Sequence, residues 1–269
     1  MARKRRQELS VESTDGTPIG YTLSGKGPSV LLVHGSAVDR RSCFLLDSLL
    51  ADSRQVAVMD RRGRGLSKDS ESYSLAQEAE DVLAVIGALA PPVHVVGLSF
   101  GGLPVLEAAA RSDRLAAVTL FEPPIRTADH TFLTGPRMEE LDRMIADGRV
   151  TDAVQVVLRE GVAASDDELR QIDAVPGAAA AAEAAMPVTA REFHVVANYV
   201  PQAERLAHIK VPVTVLLGSE SHQRFRAAAD LLVEQDAAIR TRVLPGLGHL
   251  AALTAPAPLA EAILESAPG

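Results

Sequence analysis

Short, nearly continuous apolar runs alternate along this chain with longer segments whose apolar residues recur every three or four positions. The runs lie at residues 30–33, 55–59, 93–96, 116–121, 213–217 and 240–244. Each reads as a strand covered on both faces, as parallel sheets require. Ahead of them, residues 8–13 and 19–23 flank Asp15-Gly16 and read as an antiparallel hairpin. Between the runs, Ser74-Leu75-Ala76-Gln77 has capping-box spacing, and Val82, Val85, Ile86 and Leu89 follow on one helical face. Pro91-Pro92 ends that helix. Another helix is expected after Gly101-Gly102, running to about Arg111, with Pro104 near its first turn where a missing N–H matters least. This alternation predicts an α/β fold, with a mostly parallel central sheet and helices on both faces.

The alternation stops between Ile125 and Gln202. That stretch has no convincing strand, a capping box at Ser165-Asp166-Asp167-Glu168, and the low-complexity run Gly177-Ala178-Ala179-Ala180-Ala181-Ala182, which reads as helix. The expected organisation is a core of residues 1–124 and 203–269. Residues 125–202 form a helical cap, inserted after the strand ending near Phe121 and lying over the C-terminal strand ends. No internal repeat is visible.

Composition narrows the function classes. The 269 residues fit one large domain, and 47% hydrophobic with 23% charged residues can bury a sizeable core. A formal net charge of -8 argues against nucleic acid or an anionic membrane surface as partner. The one basic cluster, Arg3-Lys4-Arg5-Arg6, reads as a solvated, mobile tail. Cys43 is the only cysteine, which rules out an intramolecular disulfide and argues against a Cys-ligated metal. Glu8, Glu12 and Asp15 interrupt any apolar leader, and no apolar run reaches spanning length. The expected location is the cytoplasm.

Candidate chemistry sits at the strand ends. Gly97-Leu98-Ser99-Phe100-Gly101 follows a strand and precedes a helix, the context in which G-x-S-x-G forms a nucleophile elbow. A sharp turn there lifts the serine hydroxyl clear of the sheet and sets it at a helix N-terminus, which favours developing negative charge. His34-Gly35-Ser36 follows the 30–33 strand, so the N–H of Ser36, paired with that of Phe100, can form an oxyanion hole. Serine needs a positioned base. His249, in Pro245-Gly246-Leu247-Gly248-His249 after the last strand, is the candidate. His34 reads as a structural loop residue and His94 as a strand residue. His130, His194, His208 and His222 follow no comparable turn. Asp60-Arg61-Arg62-Gly63-Arg64-Gly65-Leu66-Ser67 reads as a tight glycine turn with charge pairing.

The ordered set His34-Gly35, Asp60-x-Arg62-Gly63-x-Gly65-x-Ser67, Gly97-x-Ser99-x-Gly101 and Gly248-His249 resembles the α/β-hydrolase superfamily across most of the chain outside the expected cap. The resemblance is specific for fold and weak for substrate. It implies an orienting acid, and here the sequence departs from the common pattern. The usual Asp, three residues past a glycine, would fall at Ser221, and Gly218-Ser219-Glu220-Ser221-His222 contains no Asp. Glu122, after the 116–121 strand, stands where haloalkane dehalogenases and the zearalenone-type lactone hydrolases carry their acid. It is preferred over Glu220, which is one residue early. The order Ser99, Glu122, His249 matches the fold.

The resemblance implies acyl transfer on a small to medium hydrophobic ester or lactone. Neither metal nor organic cofactor is called for, and nucleic acid and membrane are not expected partners. The chain is expected to be a monomer or homodimer. Phe132, Met138, Met144, Met186, Phe193 and Tyr199 are candidate cap residues. Among them Phe193, Tyr199 and Met138 are the substrate-binding candidates, and Phe100 offers a further aromatic wall. Similarity to the lactone hydrolases stops at the tryptophan clamp some of them use, since this chain has no Trp. The same triad also suits a C–C bond hydrolase, a cofactor-free haloperoxidase or a hydroxynitrile lyase, and the fold suits a non-catalytic ligand receptor.

Overall fold

The apolar runs become strands whose successive side chains enter opposite faces of one sheet. The computed structural model describes residues 6–175 and 177–267, and its described residues form eight strands. They are β1 (Gln7–Glu12), β2 (Pro18–Gly25), β3 (Ser29–Val33), β4 (Gln55–Met59), β5 (Val93–Leu98), β6 (Leu115–Phe121), β7 (Val213–Gly218) and β8 (Arg240–Leu244). Their order is β1-β2-β4-β3-β5-β6-β7-β8. The β1–β2 hairpin joins β4 antiparallel, and every pairing from β4 through β8 is parallel. The chain leaves β3 for β4 on one side and then crosses to β5 on the other. The ends of β3 and β5 therefore flank a switch point, where open α/β sheets leave a crevice.

Alternation along each strand divides the core. Leu31, Val33, Val93 and Val95 pack with residues of helices Leu75–Ala88, Gly102–Ala109 and Gln223–Gln235. Val30, Leu32, Val96 and Leu98 face the other way, onto helices Phe44–Leu50 and Pro256–Ser266. Helices thus cover both faces. Ser74 caps its helix as expected, its hydroxyl accepting the Gln77 N–H at 3.2 Å.

Two expectations are corrected. The 240–244 run is not covered on both faces: β8 is an edge strand, exposed from Arg240 to Val243. Its arginines leave an edge that resists pairing with another chain. The basic N-terminal cluster is not wholly a solvated tail. Arg6 hydrogen-bonds Asp47, the Phe44 carbonyl and Ser48, and stacks 4.1 Å from the Phe44 ring centroid. Arg3, Lys4 and Arg5 lie outside the described residues.

Residues 125–202 contain helices Pro136–Ala146, Val150–Val156, Asp166–Asp173 and Ala178–Asn198, and no strand among the described residues. A π-helical turn, Val157–Gly161, continues directly from the second of them. Met138, Leu141, Met144, Met186 and Phe193 bury one another in a cluster of their own, which Ala37 joins from the loop after β3. Among the described residues, no helix is long and apolar enough to cross a membrane.

His94 of β5 is buried and bonded through Nε2 to Thr119 Oγ1 at 2.8 Å. Burial, with Arg54 nearby, pushes its pKa from 6.5 down to about 4. The folded chain therefore refuses a proton that the unfolded chain accepts. No stability is lost above pH 6.5, and stability falls as pH drops from 6.5 toward 4, by about 3 kcal/mol in full. Urea midpoints measured across that window should fall more steeply for the wild type than for His94→Asn; parallel slopes would contradict the assignment.

Candidate active site

The parallel sheet brings the ends of β3, β5, β6 and β7 to one edge, and the motif residues follow those ends. β5 runs to Leu98, and Ser99 turns the chain with φ of 49° into a tight turn, Ser99–Gly101, and then helix Gly102–Ala109. The left-handed region is strained for any residue with a side chain, and such strain concentrates at functional sites. The flanking glycines answer to space. A Cβ on Gly97 would stand 2.6 Å from Gly102 Cα, and one on Gly101 would stand 2.6 Å from the His34 carbonyl oxygen. Ser99 is half-buried, its hydroxyl turned toward His249.

Ser99, His249 and Glu122 form one hydrogen-bonded line. Ser99 Oγ lies 3.0 Å from His249 Nε2, and His249 Nδ1 lies 2.6 Å from Glu122 Oε2. With a carboxylate at Nδ1, the ring proton sits there and Nε2 is left to accept from the serine hydroxyl. Glu122 follows β6 with φ of 51° and is fully buried. Its second oxygen, Oε1, accepts the Gly218 N–H at 2.7 Å. Glu220 is not part of this line. It is exposed and accepts from Ser219 Oγ at 2.9 Å. Ser221, at the usual acid position, has a buried hydroxyl with no hydrogen-bond partner among the described residues.

Phe225, near the start of the helix after β7, stacks on the His249 ring with centroids 4.1 Å apart and planes 6° from parallel. Ser99, His249 and Ser36 open on a cavity walled by Pro124, Phe132, Val162, Phe193, Val196 and Phe225. The space within it is about 10 Å³, room for about one water. Ser36 is thus at the site, and a Cβ on its neighbour Gly35 would stand 3.0 Å from Ser99 Cβ. Of the substrate-binding candidates, only Phe193 lines this cavity. Met138 belongs to the separate apolar cluster of residues 125–202. Tyr199 packs against the core and donates to Glu107 Oε1 at 3.1 Å, away from the cavity. The Phe100 ring is no cavity wall either: it is fully buried beneath the Arg61 guanidinium, 4.3 Å from its centroid.

The turn after β4 supports the site from below. Arg61, fully buried, donates to both Glu78 oxygens at 2.6 Å, to Glu192 at 2.5 Å and to the Gly35 carbonyl at 3.1 Å. Burial opposes its charge, but Glu192 and Glu78 outweigh that and raise its pKa. Glu78, also buried, is held below the usual carboxylate range by Arg61. Glu192 lies on helix Ala178–Asn198 and also meets Arg64 at 2.6 Å. Nearby, His34 accepts the Arg61 N–H through Nε2 at 3.1 Å, with Nδ1 2.8 Å from the Gly35 carbonyl. Burial first, then Arg61 and Arg64, hold it neutral. Arg62 pairs with Asp81. The motif is charge pairing around a glycine turn, and it fixes the loop that carries Ser36. Among the described residues, no group of three or more His, Cys, Asp or Glu side chains is placed to hold a metal.

The chain matches the model of the Alpha/beta hydrolase family over residues 30–262. A solved alpha/beta hydrolase from Sphaerobacter thermophilus is 32% identical, covering 96% of this chain and 99% of that one, with a TM-score of 0.84. A probable oxidoreductase, EphD, of Mycobacterium tuberculosis is 37% identical over 136 residues, which are 46% of this chain and only 23% of that protein. A pimeloyl-[acyl-carrier protein] methyl ester esterase of Xanthomonas oryzae is 40% identical over 86 residues, 32% of this chain and 33% of that one.

Removing Arg61 should expose how much depends on it. Arg61→Met leaves Glu78 buried without its main counter-charge and Glu192 with Arg64 alone, and should lower stability by about 3–5 kcal/mol. A urea titration reads this directly, and a loss under about 1 kcal/mol would contradict it.

Proposed function

This chain belongs to the alpha/beta hydrolase family, and from that premise we propose that it hydrolyses small to medium hydrophobic esters or lactones through an acyl-enzyme on Ser99. The observation that carries the reading is the unbroken line Glu122–His249–Ser99 opening on an apolar cavity. His249 Nε2 takes the hydroxyl proton as Ser99 Oγ attacks the carbonyl carbon. The N–H groups of Ser36 and Phe100 receive the oxyanion, and Glu122 stabilises the imidazolium. The imidazolium then gives its proton to the departing alkoxide. Water enters, His249 deprotonates it as its oxygen attacks the acyl carbon, and the imidazolium returns that proton to Ser99 Oγ as the acid departs. The esterase relative supports acyl transfer of this kind.

The lining supports a neutral acyl group. Apart from Ser36, Ser99 and His249, its residues are apolar or glycine. Phe132, Val162, Phe193 and Val196 all come from residues 125–202, so that segment is proposed as the cap that selects substrate. With about 10 Å³ of free space, admission requires the cap to shift, since ligand sites typically need about 300 Å³ or more.

Activated p-nitrophenyl esters of graded acyl length test the reading. The wild type should release a burst of nitrophenolate stoichiometric with enzyme when deacylation limits turnover. Ser99→Ala should lose turnover by several orders of magnitude. Glu122→Gln should lose about 10²–10⁴-fold, and Glu220→Gln little. Phe193→Ala should shift preference toward longer acyl groups. Wild-type turnover in Ser99→Ala, or a severe Glu220→Gln defect beside a mild Glu122→Gln one, would contradict the assignment.

A further inference from the structure

One carboxylate from residues 125–202 reaches the loop that carries His249. Glu168 is the third residue of helix Asp166–Asp173, and its Oε2 closes the capping box by accepting from Ser165 N at 2.9 Å and Ser165 Oγ at 3.0 Å. A capping box needs one carboxylate oxygen. The other, Oε1, leaves the helix and accepts the Leu250 N–H at 2.9 Å. Glu168 is buried and Leu250 half-buried, so the bond is partly shielded from solvent.

The same carboxylate presses on the other neighbour of His249. Gly248 is not in the left-handed region, so its dihedral angles do not demand glycine. The space beside it is taken by the Glu168 carboxylate: a Cβ on Gly248 would stand 2.8 Å from Glu168 Cδ, and nearer still to Oε1, so that side chain would have to move aside. Glu168 therefore contacts the residue before His249 and bonds the residue after it. His249 must meet Ser99 and Glu122 at once, and its side chain follows the backbone held between those two residues.

We propose that Glu168 is a positioning residue for the general base: it latches the His249 loop, so that the imidazole is aligned only when residues 125–202 are seated on the sheet. This rests on the reading of His249 as base. The segment that walls the cavity then also sets the base, so enclosure of a substrate and readiness to attack are one event. Glu168 touches no reacting atom, and its effect passes through the backbone at 248 and 250.

The test compares kcat, KM and thermal midpoints for Glu168→Ala, Glu168→Gln, Ser165→Ala, Gly248→Ala and the double variant Gly248→Ala with Glu168→Ala. Ser99→Ala and His249→Ala run in parallel. Glu168→Ala should lose about 10–100-fold in kcat, the scale of a displaced catalytic group, with KM little changed. Glu168→Gln should recover most of that, because its amide oxygen still accepts the Leu250 N–H. Ser165→Ala, which loses the cap and keeps the latch, should turn over like wild type. Gly248→Ala should mimic Glu168→Ala, and its added penalty should largely vanish in the double variant, where the carboxylate it strikes is gone. Should Glu168→Ala fail to fold, Gly248→Ala decides alone: reduced kcat supports the latch and wild-type kcat overturns it. Inactive Ser99→Ala and His249→Ala beside wild-type kcat in Glu168→Ala overturn the latch only. Wild-type turnover in either of those two variants overturns the acyl-transfer reading and the latch with it.

Discussion

Burying a carboxylate is costly, and least so when donors meet both of its oxygens. Glu122 meets that condition through two partners distant in sequence, Gly218 N and His249 Nδ1. The requirement propagates outward. β6 and β7 must be adjacent and in register, which the pairing of Phe121 with Leu216 provides. The loop after β8 must fold back across the sheet edge, and Phe225 must lie flat against the imidazole that completes the line. A glutamate placed just after β6 therefore ties together three strand ends, and the orientation of His249 toward Ser99 follows from that tie.

A second buried network makes the upper and lower parts of the molecule one unit. Arg61 joins the loop after β3, helix Leu75–Ala88 and helix Ala178–Asn198 through Gly35, Glu78 and Glu192. Buried ion pairs contribute little net stability relative to apolar packing, but they punish the loss of either partner. Their value here is positional. The same helix that supplies Glu192 supplies Phe193 to the cavity wall, so the residue facing the cavity is fixed by its neighbour facing the core. Residues 125–202 are tied to the loop that carries Ser36 through Arg61 and to the loop that carries His249 through Glu168.

The sheet was legible because the buried parallel strands are predominantly apolar along their length, and the elbow was legible because Gly97, Ser99 and Gly101 answer to local backbone packing. Both are local signals. Glu122 was reached through the missing Asp near Ser221 and a family resemblance; its hydrogen bonds come from strands that only the sheet order makes neighbours. Phe225 and Glu168 carried no signal, since the spacing that matters for them is spatial. Glu168 announced itself only as half of a capping box, which it is, with its second oxygen spent elsewhere. Tyr199 and Met138 misled for the opposite reason: an aromatic or sulfur side chain on a helix reads alike whether it faces a cavity or a neighbouring helix. The 240–244 strand misled because Val243 and Leu244 suggested burial, while its arginines marked an edge.

The central claim is that Ser99 forms the covalent bond. Diethyl p-nitrophenyl phosphate transfers a phosphoryl group to an activated serine and leaves an adduct that water removes slowly, so intact-mass and peptide-mapping spectrometry can read the site. The account predicts one diethylphosphoryl group per chain, on the peptide bearing Ser99, appearing as esterase activity disappears. A chain that keeps hydrolysing esters without an adduct, or that carries the adduct on another residue, would contradict it.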